Sequence, residues 1–345
     1  MQDTAKQLQD LIFQRYAAIS EKTLFQIYQL ESDLFVTPPE VVHFLCAERQ
    51  QVRERLKNEL MQADSGQQSP LLSLFLRLTK QFVYQKNQFV SYTPQDEMIL
   101  KAIYRRFLHN LYHLVTQADS PQTLQLLFRD VLVQHHLALR AFTARFLNEA
   151  DLSPEHHFLF SQPVCEEYSE HLQWELFGLD YATLQEPVLD LGCGQHGRFV
   201  HFLRSQGIEA YGIDRICHPM PFLTETDWFQ FHYQPETWGT ILSHLAFSNH
   251  FLFQHAYKHG TPERCARLFM TILAALKPDG TFHYTPGLPF FEPLLPSSTY
   301  EITRTSVTFQ GIGEFQTNSP YHDLLGQDVN YAVQIRKIAR SEIAL

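Results

Sequence analysis

Three glycines, Gly192, Gly194 and Gly197, sit in PVLDLGCGQHGRFVHFLRSQGIEAYGID, residues 187–214, between an apolar run that reads as a strand and one that reads as a helix. Glycine weakens helices, so three at one joint point to a tight turn or to a backbone that must approach a ligand closely. Asp214 follows Gly192 by 22 residues, at the end of the next expected strand. By spacing alone this is the fingerprint of a dinucleotide site. Asp190, just ahead of Gly192, argues for a different ligand. A carboxylate at the mouth of the first strand repels a pyrophosphate and favours an ammonium. S-adenosyl-L-methionine carries an ammonium and a sulfonium and no phosphate. Asp227-Trp228, where a third strand should end, supplies an acceptor for an adenine amine and an aromatic face for its ring. The plainer alternatives are a glycine turn with no ligand, an Asp214 that only caps a helix start, and a Trp228 that only fills a core. Cys193, between two glycines, reads as a small buried filler and not as a nucleophile.

Transfer of a methyl group from a sulfonium is an in-line displacement, accelerated by holding both reactants in that geometry. A base helps only where the acceptor carries a proton that must leave. The acceptor belongs beyond the carboxyl ends of the strands. There SHLAFSNHFLFQH, residues 243–255, offers His244, Asn249 and His250. His244 and His250 are the candidate catalytic bases, against the reading that they fill ordinary hydrogen-bonding niches. The chain has 18 histidines, and the pairs His135–His136 and His156–His157 invite a metal. Neither pair has HExxH or Cys/His spacing, and neighbours on a helix point apart, so no metal site is expected. The pairs read as surface or hydrogen-bonded core groups.

The elements that must position these groups fall into two textures. In the first half, Thr37-Pro38, Ser69-Pro70, Thr93-Pro94, Ser120-Pro121 and Ser153-Pro154 each precede an apolar-periodic run. A hydroxyl at the cap and a proline at the first helical position both start a helix. The expected helices span roughly 2–32 with a break near 19–21, 38–63, 70–89, 94–117 and 121–149, with no fixed repeat length. Residues 1–150 therefore read as an all-α domain serving as substrate cap, dimerisation or docking module. From 151 to 345 strands and helices alternate, which implies an α/β domain with a parallel sheet. Its strands are PVLDLG, EAYGID, a short one within PFLTETDWF, TWGTILSHLAF and TFHYTPG, followed by YEITRTSVTF and NYAVQIRKIAR as an antiparallel edge pair. Thr261 and Pro262 open the helix TPERCARLFMTILAALKPDG, and Pro278-Asp279-Gly280 ends it. Only RICHPMPFLTET separates Asp214 from Asp227, too short for a helix and a strand, and Pro219 and Pro221 suit a loop.

Composition narrows the partners. With 345 residues and 44% apolar content the chain can bury a sizeable core. Its 27 basic against 37 acidic residues, −10 overall, argue against nucleic acid as partner. Five cysteines, odd in number and without a CxxC, predict neither a disulfide framework nor a zinc knuckle and suit a reducing compartment. The N-terminus lacks a secretion pattern, and no apolar run approaches the roughly 20 residues that span a bilayer. A cytoplasmic protein without a membrane partner is expected.

On VLDLGCGQHGRF, the acidic strand end EAYGID, DWF, the TWGTILSHLAF strand and LAALKPDGTF, in that order, residues from about 160 to 345 resemble a class I S-adenosylmethionine-dependent methyltransferase. The resemblance implies a Rossmann-like methyltransferase sheet, mostly parallel with an antiparallel C-terminal edge hairpin, preceded by the all-α domain. It implies that Asp190, Gly192, Gly194 and Gly197 line the methionine and ribose side, that Asp214 holds both ribose hydroxyls, and that Asp227 and Trp228 meet the adenine. Tyr168, in CEEYSEHLQW, resembles a tyrosine that covers the cofactor from an upstream helix. The chain departs from the family in lacking room for the helix between the second and third strands. The Asn/Asp-Pro-Pro-Tyr/Phe motif of adenine-specific DNA methyltransferases is missing after the fourth strand. PGLPFFEPLLP, residues 286–296, and the helical half resemble an apolar lid over a small molecule. The implied function is methyl transfer to a small-molecule acceptor at O, N or C. The competing expectations are a protein side-chain methyltransferase and a non-catalytic S-adenosylmethionine-binding or interaction protein; the partners expected are the acceptor and a second copy of the chain, in a homodimer through the helical domain.

Overall fold

The computed structural model describes residues 2–146, 168–257, 262–306 and 326–339. The chain divides into two compact units, Met1–Val164 and Cys165–Leu345. The first is helical: α1 Gln2–Ile19, α2 Leu24–Tyr28, α3 Pro39–Ala47, α4 Arg49–Asp64, α5 Pro70–Lys86, α6 Pro94–Gln117 and α7 Pro121–Ala144. Three hydroxyl caps work as their sequence demands. Ser69 accepts from the Leu72 N–H at 3.3 Å, Thr93 from Asp96 at 3.2 Å and Ser120 from Thr123 at 3.1 Å. Thr37 does not cap. Pro39 forces the preceding Pro38 into an extended backbone, ψ 139°, so α3 starts one residue later without a side-chain cap. The single helix expected over 38–63 is two, divided at Glu48, whose φ of −102° and ψ of 22° leave the helical region. Ser153-Pro154, His156–His157 and Cys165 lie outside the described residues. The apolar stripes of α4, α6 and α7 meet in a core around Val52, Leu100, Leu108 and Val115, all fully buried.

The second unit is an α/β sheet. Its strands are β1 Val188–Leu191, β2 Ala210–Asp214, β3 Leu223–Glu225, β4 Trp238–His244, β5 Leu276–Thr285, β6 Tyr300–Ser306 and β7 Tyr331–Lys337. They lie in the order β3-β2-β1-β4-β5-β7-β6. The first five pair in parallel, and β7 runs antiparallel to both β5 and β6. The helices are α8 Glu170–Leu176, α9 Arg198–Ser205, α10 Phe247–Tyr257 and α11 Pro262–Ala275. No helix stands between β2 and β3. Residues 215–222 return directly, held by the Gly212 N–H on the Phe222 carbonyl at 2.9 Å. The turn expected to end α11 at Pro278-Asp279-Gly280 lies within β5, at a bulge where the register to β4 slips between Trp238 and Thr240. Thr261 lies outside the described residues. Among the described residues no helix is long and apolar enough to cross a membrane.

Candidate functional site

The strand order reverses between β1 and β4, so the sheet opens a crevice beyond their carboxyl ends. The glycine loop leaves β1 there. Gly192, Gly194 and Gly197 have φ of 86°, 75° and 56°, the left-handed region where side chains are strained. A Cβ on Gly192 would overlap that of Ala246, which follows β4, and would stand 3.5 Å from the Trp228 ring, which follows β3. The first glycine is thus where the segments after three strands converge. Gly197 is buried at the N-cap of α9, and a Cβ there would come within 2.6 Å of Leu223 on β3. Its geometry is that of helix-on-sheet packing.

Two carboxylates stand at adjoining strand tips. Asp214 accepts from the Gly194 N–H at 3.1 Å and the Ile216 N–H at 3.0 Å, one bond to each oxygen, so the side chain is fixed while lone pairs stay free. Desolvation raises its pKa, against those N–H groups and Arg215. Asp190, within β1, is only 4% exposed. Burial, and then the charge of Asp214, push its pKa up to about 7. Among the described residues neither carboxylate forms an ion pair. Glu225 stands opposite Asp214 in the β2–β3 register and adds a third acidic group. Asp227 accepts from the Phe229 N–H at 2.8 Å with one carboxylate oxygen, which fixes the turn that presents Trp228.

The histidines part company. His244 ends β4 half-buried, its ring edge-on to Tyr168 at 4.8 Å and to Phe177 at 6.0 Å. Its Nε2 is buried without a hydrogen-bond partner, and burial lowers its pKa to about 4. His250 is 3% exposed on α10, edge-on to Trp228 at 5.4 Å. Burial, Arg215 and Arg264 hold its pKa at about 3. The fold thus gathers Tyr168 with His244, and Gly192 with Trp228 and His250. Gly192, Gly194, Asp214, Asp227, Trp228, Tyr168 and His244 keep partial exposure, while Asp190, Gly197 and His250 lie beneath. A cavity of about 570 Å³ beside the glycine loop, lined by His196, His201 and His218, contains none of these groups. No described cluster of His, Cys, Asp and Glu could hold a metal.

Sequence reasoning missed Leu245 and Ala246. Leu245 has a φ of 49°, and its N–H donates to the Thr285 carbonyl at 2.9 Å. That bend turns the chain from β4 into α10 and sets Ala246 on Gly192. Leucine is not a turn residue, so nothing local signalled it. It also missed that Cys217 contacts Cys193 beneath the loop, both buried in one apolar cluster.

Comparison with protein-family models gives no match, and comparison with curated proteins gives none either. Among solved structures the chain is similar to the plantazolicin methyltransferase BpumL in complex with SAH, at 18% identity over 44% of this chain and 75% of that one, TM-score 0.30. It is similar to an S-adenosylmethionine dependent methyltransferase from Mesorhizobium loti at 27% identity, over 28% and 44% of the two chains, TM-score 0.21. A third, a SAM dependent methyltransferase from Archaeoglobus fulgidus, aligns at 16% identity over 44% and 85%, TM-score 0.26. By its own strand order and antiparallel β7, the C-terminal unit has the Rossmann-like fold of class I S-adenosylmethionine-dependent methyltransferases.

Proposed function

We propose that the C-terminal unit binds S-adenosyl-L-methionine and transfers its methyl group to a small organic acceptor. The observation that carries this reading is the pair Asp190 and Asp214, desolvated on adjoining strands and, among the described residues, in no ion pair, with only the charge of Arg215 acting on Asp214. Such a pair is costly alone and suits a cationic amino acid joined to a ribose. It opposes a pyrophosphate, which separates this ligand from a dinucleotide. When bound, the cofactor supplies an electrophilic methyl group. Asp190 attracts its ammonium, Asp214 accepts from the ribose hydroxyls, and the second oxygen of Asp227 and the Trp228 ring meet the adenine. Gly194 and Gly192 leave the backbone bare beside it, and Tyr168 covers the crevice from the side of His244.

His244 is neutral at pH 7 and a weak base, since its pKa is about 4. We therefore assign its unpartnered Nε2 to orienting the acceptor by a hydrogen bond. The acceptor then brings a lone pair that needs no deprotonation before attack, and in-line placement carries the acceleration. His250 backs the Trp228 ring. Calorimetry with S-adenosylhomocysteine and with NAD tests the binding step. The expected result is binding of the former only, weakened tenfold or more in a folded Asp214→Ala variant. Binding of NAD alone overturns the reading. Labelled methyl from the cofactor, followed into lysate and fractionated by size, then distinguishes a metabolite acceptor from a protein.

A further inference from the structure

The helical unit contains a polar cluster that the cofactor site leaves unused. A cavity of about 130 Å³ lies among α1, α2, α5, α6 and α7, walled by the rings of Phe75 and Phe107. The hydroxyls of Tyr16, Thr79 and Tyr104 close a triangle on its lining, with sides of 2.7, 2.9 and 2.5 Å. His135 and His136, consecutive on α7, line it as well at 9% and 8% exposure. Each has an Nδ1 that is buried and without a hydrogen-bond partner. Burial holds the two rings at pKa values of about 3 and about 4, so each is neutral with one N–H to donate and one nitrogen to accept.

The field around this pair is positive. Arg15 and Arg140 complete the wall, and among the described residues no aspartate or glutamate lines the cavity. Arg15 donates to the Leu34 carbonyl, and Arg140 lies 5.0 Å over the Tyr28 ring. Among the described residues neither arginine forms an ion pair. Two orphan imidazole nitrogens in a core are costly unless something polar meets them. Water would satisfy the imidazoles; of the arginines, Arg15 feels the charge of Asp33, which itself pairs with Lys22, and Arg140 forms no ion pair among the described residues. A cavity of about 150 Å³ accommodates one benzene ring, and this one is close to that size.

We propose that this cavity is a binding site for a small aromatic carboxylate. Its ring packs against Phe75 and Phe107. Its carboxylate accepts from the His135–His136 pair and compensates Arg15 and Arg140. A neighbouring cavity of about 260 Å³ shares Arg15, Tyr16, Phe75, Phe107 and Leu132 in its lining and gives a ring substituent room. The inference stands apart from the cofactor reading, because none of its residues belongs to the C-terminal unit.

Fluorine NMR of the full chain with 4-fluorobenzoate tests it. Saturable binding with a Kd below about 1 mM is expected. The His135→Leu, His136→Leu double variant should lose tenfold or more in affinity, and Asp214→Ala should lose nothing. 4-Fluorotoluene and 4-fluorobenzylamine should bind at least tenfold more weakly, since one lacks the charge and the other reverses it. Absence of saturable binding to the wild type overturns the proposal, as does equal binding of either analogue or full retention in a folded double variant. In wild-type protein labelled with nitrogen-15 at histidine, the ligand should move the Nδ1 resonances of His135 and His136. Unmoved resonances overturn the proposal without any substitution.

Discussion

At the scale of single residues, Asp190 sets folding against binding. Its carboxyl has a pKa of about 7 in the fold against a reference of 3.8. Between those values the unfolded chain has lost the proton and the folded chain keeps it. Stability from this group is therefore full below about pH 4 and falls until about pH 7, by roughly 1.4 kcal/mol per pH unit. Asp190→Asn should raise the free energy of unfolding in urea at pH 7.5 by about 4 kcal/mol at most, and weaken S-adenosylhomocysteine binding tenfold or more. A variant that is no more stable and binds as before would remove Asp190 from the site. A bound ammonium holds the carboxylate ionised, so ligand binding near pH 7 should also release a proton. Calorimetry in two buffers of different ionisation enthalpy measures it. Gly192→Ala should unsettle the same loop, because the new methyl meets Ala246 at a left-handed φ, with a loss of roughly 1–3 kcal/mol and of cofactor binding.

At the scale of elements, what the sequence disclosed was what short-range chemistry decides. The Ser69, Thr93 and Ser120 caps, the missing β2–β3 helix and the edge pair β6–β7 follow from neighbours along the chain. The placement of Asp190 on β1, Gly192 just after it and Asp214 at the end of β2 was legible for the same reason, because their spacing is local. Contacts made by distant segments were not. Glu59 of α4 accepts from the Ser69 hydroxyl at 2.5 Å and from the Leu71 N–H at 3.0 Å, so a carboxylate on one helix caps the start of the next. Just past the end of β4, the Leu245 N–H also bonds the Thr285 carbonyl across 40 positions, which no local rule anticipates. Glu59 is 1% exposed and also pairs with Arg55. Glu59→Ala should then destabilise the helical unit by about 3–5 kcal/mol, whereas Thr93→Ala, which removes a simple hydroxyl cap, should cost about 1 kcal/mol. Chemical denaturation of the two variants compares them directly. Equal costs would mean that the Glu59 cap is no stronger than a hydroxyl.

At the scale of the whole molecule, buried neutral histidines make acid the weak side of both units, and unequally. Among the described residues five have pKa values of about 3 or 4: His135 and His136 in the helical unit, His244, His250 and His283 in the other. For each, the unfolded chain binds a proton below about pH 6.5 that the folded chain refuses until about pH 4. Their stability is complete above pH 6.5 and is lost as pH falls, by roughly 1.4 kcal/mol per unit each. In the C-terminal unit the raised pKa values of Asp190 and Asp214 oppose this, because acid returns their protons: Asp190 offsets about one of that unit's three histidines, and what Asp214 adds is the margin by which it is less acid-sensitive than the helical unit. Among the described residues the helical unit has no such compensation, so it should lose about 6 kcal/mol between pH 6.5 and about pH 4.5, comparable with a domain's whole stability. The two units can be followed separately, since Trp174, Trp228 and Trp238 all lie in the C-terminal one. On acidification, far-UV circular dichroism, dominated by the helical unit, should decline before tryptophan fluorescence changes. The His135→Leu, His136→Leu variant should bring the two transitions together. If fluorescence changes first in the wild type, the histidines are not what acid attacks.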